Sequence, residues 1–293
     1  MPTVSVVIRA HSHAEFLTEC LESLRCQTVT DWEAIVDDDA APDTDAIESC
    51  IQSLNDPRVR LLKHKVNRGP AASLNSGFED ARADLVLVVD ADDCIVPEYL
   101  RIVHSAIESE QGANCAYTDY QCFGDFDSAI HFYDLTTQHM LYDNCIPLSG
   151  ALIRKSVWEE VGAFSESPVF RWGYEDYDFW LRAIRAGLKA VHVHEPLCHY
   201  RKHADSISVN GMRYNNHTLR EAIYSRHRNL FDAYRARGMF LAKGYAVSAV
   251  AAARRREFGR SFYLLARGAG VCPRSHDIRQ AARGVISLAV RAR

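Results

Sequence analysis

The chain has 293 residues, is 47% apolar and 25% charged, and carries a formal net charge of −4. That composition excludes disordered and fibrous classes, and the length is enough to bury a core without disulfides or a structural metal. The charge is unevenly placed: residues 1–210 carry −17 and residues 211–293 carry +13. The acidic part makes a poor nucleic-acid binder and a good cation site, so nucleic acid is not an expected partner. The basic part suits phosphates, an anionic membrane or the acidic part itself.

The nine cysteines are odd in number and contain no CxxC pair. They read as small buried side chains in a reducing compartment. MPTVSVVIRA lacks a charged region before its apolar run and reads as a first strand, not a secretory signal. The later apolar stretch 239–253 is interrupted by Lys243 and is shorter than the ~20 residues of a spanning helix. The expectation is a cytoplasmic protein, soluble or peripheral.

Val4 to Ile8 is a β-branched run typical of a strand buried on both faces. Phe16, Leu17, Cys20, Leu21 and Leu24 place one apolar face on a helix from Ala14 to Cys26. Strands follow at 33–36, 59–63 and 85–89, separated by helices at 44–54 and 69–82. A helix from Pro97 to Glu110 and a strand at 115–120 continue the alternation, and 125–144 is polar, aromatic and irregular. A strand is expected at 149–154. Ser156 with Glu159 suggests a capping box, and Gly187 closes a helix over 176–186 before a strand at 190–193. Beyond Asn210 only helices are expected, at 218–235, 239–256 and 278–292. The alternation predicts an α/β fold, a three-layer and mainly parallel sheet with a helical C-terminal extension.

Two acidic groups, Asp37–Asp39 and Asp90/Asp92/Asp93, sit at predicted strand ends. Ligands of open α/β sheets gather there. Either group alone reads more readily as turn formers and helix caps. Two on central strands favour a site for Mg²⁺ or Mn²⁺ shared with substrate phosphates. No GxGxxG follows the first strand and no GxxxxGK[ST] occurs, which excludes the dinucleotide and P-loop motifs.

The succession VSVVIRAHSHAEFLTECLESLRCQT, DWEAIVDDD, NRGPAASLNSGFEDA, LVLVVDADD and GYEDYDFWLRA resembles the family 2 glycosyltransferases of GT-A fold. The likeness runs from Val4 to about Ser208. Two strand ends depart from the family: Arg9-Ala10-His11-Ser12 replaces Pro-Thr-Tyr-Asn, and Ala40-Ala41-Pro42 replaces the small polar turn of Asp-Asp-Gly-Ser. The resemblance implies an inverting transfer of sugar from a nucleotide-diphosphate sugar, UDP- or dTDP-linked, to a saccharide or lipid-linked acceptor in polysaccharide or glycoconjugate synthesis. It implies a DXD motif holding Mn²⁺ or Mg²⁺, with Asp92 the first choice at the metal and Asp90 and Asp93 beside it, each able to meet either the metal or the ribose.

By the same resemblance Asp38, with Asp39 as the fallback, accepts from the base. Ala10 and His11 line the base pocket, and Asn67 and Gly69 approach the nucleotide. Asp176 is the general base and Glu175 orients the acceptor. Arg201 and Lys202 reach the diphosphate and His203 the metal. Trp172 and Tyr174 offer aromatic faces to the acceptor sugar. Asp178 is placed to pair with Arg182, and Cys94 is expected to be inert. The rival readings are a sugar-1-phosphate nucleotidyltransferase, which the glycine-free segment Arg9–His13 disfavours, and a non-catalytic nucleotide-sugar-binding subunit. The expected division is a catalytic domain over 1–210 and a basic helical extension over 211–293. In that extension Arg254–Arg256 and the apolar stripe Ile278–Val290 suit either packing or peripheral contact with the cytoplasmic face of a membrane.

Overall fold

The computed structural model describes residues 1–10, 14–203 and 211–291. Contacts divide the chain into two compact units. One takes Met1–Leu135, Cys145–Glu166 and Asp178–His203; the other takes Thr136–Asn144, Ser167–Tyr177 and the residues from Ala204 onward. The helical unit thus includes two short segments from earlier in the chain.

The first unit is built on one mixed sheet. In chain order it contains β1 (Val4–Ala10), α1 (Ala14–Arg25), β2 (Trp32–Asp38), α2 (Thr44–Leu54), β3 (Val59–Lys63), α3 (Pro70–Asp80) and β4 (Leu85–Asp90). There follow β5 (Cys94–Ile95), α4 (Tyr99–Ser109), β6 (Cys115–Gly124) and β7 (Ser128–Ile130), then α5 (Thr137–Tyr142), which falls in the other unit. After them come β8 (Leu152–Arg154), α6 (Lys155–Val161), α7 (Glu175–Arg185), whose first three residues count with the other unit, and β9 (Ala190–Lys202). The strand order is β3-β2-β1-β4-β8-β6-β9-β5, with β7 beside β6. The first four strands run parallel, β8 is antiparallel to both its neighbours, and β6–β9 is parallel again.

The apolar alternation of β1 explains the layers. Val4, Val6 and Ile8 share a core with Leu17, Leu21 and Leu24 of α1 and with Leu100, Val103 and Ile107 of α4. Val7 faces the opposite side, toward α3. A Cβ on Gly77 would lie 2.4 Å from Val7 Cγ1, so α3 reaches the sheet only because that position is glycine.

Several elements differ from the sequence expectation. Arg154, not a Ser156 capping box, starts α6, with no side-chain cap. Its guanidinium instead bonds Glu108 and the Ala113 carbonyl. The irregular segment contains β7 and α5, the latter capped by Thr136 Oγ1 accepting from the His139 amide. β9 runs on to Lys202 because its ladder with β6 resumes at Tyr120↔Cys198 after a break.

The second unit holds α5, a 3₁₀ turn (Pro168–Trp172), α8 (Asn216–Arg226), α9 (Arg228–Ala233), α10 (Arg237–Arg254), α11 (Phe258–Val271) and α12 (His276–Arg291). The helix expected over 218–235 is interrupted at His227, and α11 was not expected. Alanines 242, 246, 249 and 253 on α10 let α11 and α12 pack closely through Leu264, Leu265, Ile278 and Val285. The Ile278–Val290 stripe is therefore used in part for packing, while Ile286 and Val290 are exposed. Among the described residues no helix is long and apolar enough to cross a membrane.

Glu33 ties the lower sheet together. Burial alone would raise its pKa, but Ser5 Oγ, the Arg82 amide and Arg60 outweigh this and hold it below the usual range. Its stabilisation is therefore present above the unfolded carboxylate pKa and lost as pH falls through the folded value. Glu33→Gln is expected to cost about 1–3 kcal/mol at neutral pH, and the gap to wild type should close in acid, measured by urea unfolding across pH. Gly77→Ala should cost about 1–3 kcal/mol through overpacking against Val7, read as a lower Tm.

Candidate active site

The register of the parallel strands places the chemistry. Ala10 stands opposite Asp38, and Arg9 stands opposite both Asp37 and Asp90. The carboxyl ends of β1, β2 and β4 are therefore level, and β1 is the strand from which the order runs outward in both directions. That is where open α/β sheets bind ligands.

The first acidic group is largely engaged with the protein. Asp37 is buried and bonded by Ser73 Oγ and by His64 Nε2 at 3.0 Å; burial still pushes its pKa up. Asp38 accepts from the Ala41 amide at 2.8 Å and from Thr44 Oγ1 at 2.6 Å, which folds the turn into α2. Asp39 accepts from the Arg68 and Gly69 amides at 2.8 and 2.7 Å. It thereby fixes the loop containing exposed Asn67 against the strand ends. Gly69 has φ +92° at the start of α3, which glycine adopts without strain. Buried Ala10 receives the Asp39 amide on its carbonyl; His11 lies outside the described residues.

The second group converges. One oxygen from each of Asp90, Asp92 and Asp93 lies within 4.8 Å of the others. Arg9 donates Nε to Asp90 Oδ1 at 2.8 Å. Asp93 is fully buried and held by Ser149 Oγ at 2.6 Å and the Arg201 amide at 2.9 Å. Asp92 Oδ2 is 2.9 Å from His203 Nε2. Burial first, then the neighbouring carboxylates, raises the pKa of Asp92 and pushes that of Asp93 far up. Crowded acids of this kind, open to solvent at Asp90 and Asp92, form a set of hard oxygen donors that fits a divalent cation, with the His203 nitrogen alongside.

Arg201 is more constrained than its expected diphosphate role suggests. Its guanidinium is 4.3 Å from the ring centres of both Phe16 and Phe123. Nε donates to the Asp92 carbonyl at 2.9 Å and Nη2 to Glu19 at 2.6 Å. Lys202 Nζ lies 4.0 Å over the Tyr200 ring. Cys94 is pushed up to about 11 by burial, so it stays a thiol.

The residues expected on the acceptor side, Trp172, Tyr174, Glu175 and Asp176, fall in the second unit. Asn144 Nδ2 donates to Asp176 Oδ2 at 2.8 Å, and the Tyr177 amide to Oδ1 at 2.7 Å. Glu175 is buried and Trp172 is half exposed, packed over Gly211. Tyr174 is buried, has φ +74°, and accepts from Asn216 Nδ2 at 2.9 Å. In the first unit Asp178 pairs with Arg182 at 2.9 Å, as expected.

Sequence reasoning missed Ser149, Ser73, His64 and Arg220. The first three act across 27 to 56 residues of chain, where no local pattern signals them. Arg220 is buried and bonds Asn216, Asp143 and the Tyr142 and Phe240 carbonyls. It looked like one more basic residue of a basic segment.

With this geometry in place, comparison with known proteins is decisive at the level of family. The pattern for glycosyl transferase family 2 matches residues 5–157, and that for glycosyl transferase family group 2 matches 85–237. The chain belongs to glycosyl transferase family 2. It is 27% identical over 214 residues to an uncharacterized glycosyltransferase of Haemophilus influenzae, covering 70% of each protein; of several other relatives it spans a smaller share. Among solved structures it resembles S. aureus TarS 1–349 in complex with UDP-GlcNAc, with a TM-score of 0.70, 17% identity and coverage of 98% and 89%. It also resembles the mannosyltransferase PcManGT from Pyrobaculum calidifontis in complex with GDP-Man and Mn²⁺, with a TM-score of 0.62, 17% identity and coverage of 99% and 86%. These neighbours share the GT-A fold.

The altered turn after Asp39 carries a testable cost. Ala40 has φ +53°, a left-handed conformation that costs a non-glycine residue ~1–2 kcal/mol. Ala40→Gly is expected to stabilise the fold by up to about 1 kcal/mol after glycine's larger unfolded-state entropy is counted, seen as a raised urea midpoint.

Proposed function

We propose that the chain is a divalent-cation-dependent, inverting glycosyltransferase that moves a sugar from a UDP- or dTDP-linked donor to an acceptor hydroxyl in polysaccharide or glycoconjugate synthesis. The observation that carries this reading is the convergence of Asp90, Asp92 and Asp93 at the end of β4, with His203 against Asp92. The nucleotide sugars in the two structural neighbours, and the Mn²⁺ in one of them, support it.

Asp92 and His203, with Asp90 and Asp93 beside them, would hold the cation. A bound Mn²⁺ or Mg²⁺ supplies charge compensation for the leaving nucleoside diphosphate. Asp93, fixed by Ser149, keeps the acidic turn in shape. Asp39 holds the loop of Asn67 and Gly69 where the nucleotide is approached, and Asp38 and Ala10 form the wall of the base pocket. Arg201, clamped between two aromatic rings, keeps β9 and its following His203 in place and adds positive potential beside the diphosphate.

Asp176 takes the proton of the acceptor hydroxyl as that oxygen attacks the anomeric carbon. Asn144 and the Tyr177 amide orient its carboxylate, and Glu175 positions the acceptor. Trp172 offers the exposed aromatic face for a sugar, while Tyr174, bonded to Asn216, supports the segment from within. In the helical unit, Arg213, Arg254, Arg255 and Asp277 line an open groove of about 630 Å³ together with Ala246, Val247 and Val250. The excess of arginines beside apolar side chains in that lining supports peripheral contact with an anionic surface carrying a lipid-linked acceptor.

Thermal-shift screening of nucleotide sugars with and without Mn²⁺ tests the donor reading. A matching donor at about 100 times its Kd stabilises by ~2.7 kcal/mol, and Asp92→Asn should remove the Mn²⁺-dependent part. Asp176→Asn should keep the donor shift and lose ~10²-fold or more in turnover. Wild-type turnover in that variant would remove Asp176 from its role. Absence of nucleoside diphosphate release with any donor would favour a non-catalytic binding subunit.

A further inference from the structure

A second group of metal-ligand side chains lies in the sheet unit and shares no residue with the acidic turn of β4. β9 carries His192 and His194, two apart, so both side chains leave the same face of the strand. The β6–β9 register jumps from Thr118↔Val193 to Tyr120↔Cys198, so residues 194–197 bulge from the ladder. Asp134 reaches the same place from the segment after β7. Its Oδ1 is 3.1 Å from His192 Nδ1 and 3.2 Å from His194 Nε2, and one donor atom from each of the three lies within 4.8 Å of the others.

His192 is held from behind. Its Nε2 is 2.8 Å from Oδ1 of buried Asp119, and its side chain is only 2% exposed. The Tyr117 ring stacks on it at 4.6 Å and 9°. Asp119 also accepts from the Phe132 amide at 3.0 Å and pairs with His131 Nδ1 at 2.6 Å. The imidazole is therefore fixed in orientation, with a carboxylate oxygen facing each of its nitrogens.

A neutral imidazole has one N–H. Given to Asp119, it leaves the Nδ1 lone pair aimed at a carboxylate oxygen of Asp134. Two lone pairs 3.1 Å apart require a cation between them, a proton or a metal ion. Three features favour the metal. His194 brings a second imidazole to the same oxygen. The two separations from Asp134 Oδ1, 3.1 and 3.2 Å, approach the ~3.3 Å edge of a tetrahedron with bonds of 2.0–2.1 Å. A carboxylate behind a ligating histidine is the usual outer partner of a zinc ligand. Imidazole-rich sites suit Zn²⁺ over Mg²⁺ or Mn²⁺.

The geometry points to a Zn²⁺-class site formed by His192, His194 and Asp134, oriented by Asp119, with a fourth position open to solvent. Asp134 and His194 are exposed, so the ion enters without unfolding the sheet. Bound there, it ties the segment after β7 to the bulge of β9.

The test uses the full chain stripped of metal and titrated with ZnCl₂ by calorimetry, and with Co²⁺ as the spectroscopic probe. Wild type and Asp92→Asn should both show the visible absorption of four-coordinate Co²⁺ and bind Zn²⁺ at this site. His194→Ala should lose both signals while keeping the metal-free Tm, since that side chain is exposed. Asp119→Asn should weaken Zn²⁺ by ~10–100-fold, and Asp134→Ala provides a second exposed variant. Equal Zn²⁺ affinity and stoichiometry in wild type, His194→Ala and Asp134→Ala would overturn the assignment, as would a Co²⁺ spectrum lost in Asp92→Asn and kept in His194→Ala.

Discussion

Six carboxylates end two strands that flank one central strand, and the unit has to manage their charge within a few ångströms. It does so by giving most of them internal work. Asp37 is held by Ser73 and His64, Asp38 by a turn, Asp39 by two loop amides, and Asp93 by Ser149 and the Arg201 amide. The donors offset part of the desolvation cost, although burial still raises the pKa of Asp37 and Asp93, and they stiffen the strand ends. Asp90 and Asp92 keep solvent-facing oxygens, and among the described residues Arg9 and His203 stand against them. The site is thus a small open acidic patch inside a larger, satisfied acidic frame.

The frame also explains why loops so far apart in sequence meet. The Asp39 carboxylate cannot reach the Arg68 and Gly69 amides unless β2 and the start of α3 are in register. Asp93 cannot reach Ser149 unless the chain returns beside β4, where the Gly150 amide also bonds the Val88 carbonyl. Each buried carboxylate becomes a penalty if its partner segment is misplaced, which disfavours alternative pairings of the strands. The helical unit uses one buried cation in the same way. Arg220 gathers α5, α8 and α10 through Asp143, Asn216 and two carbonyls. Removing one partner from such a buried set costs far more than the set contributes relative to an apolar replacement.

Legibility in the sequence follows from the range of the interactions. The strands Val59–Lys63 and the helix Thr44–Leu54 match their expected bounds, because apolar periodicity and local caps are written in neighbouring residues. The acidic strand ends were readable for the same reason. What Asp37 and Asp93 bond was not, since Ser73 lies 36 residues from Asp37 and Ser149 lies 56 from Asp93. α11 escaped because Ser261 and Gly268 dilute the buried face of Leu264 and Leu265, and its three glycines disfavour a helix. The extension of β9 escaped because Glu195 and Pro196 look like the end of a strand, and only the β6 ladder beyond them restores it.

β9 then links the two clusters of the sheet unit. His192 and His194 lie before its bulge, and Arg201 and Lys202 lie after it with His203 next in the chain. Cys198 and His199 pair with β5, the two residues that follow the acidic turn. A strand hydrogen-bonded on both sides shifts little along its axis, so the Arg201 amide that holds Asp93 and the His203 ring beside Asp92 inherit their positions from that ladder. The bulge absorbs the mismatch between the two halves of β9, and Asp134 stands across from it. Fixing the bulge therefore fixes the least regular point of the strand that positions His203.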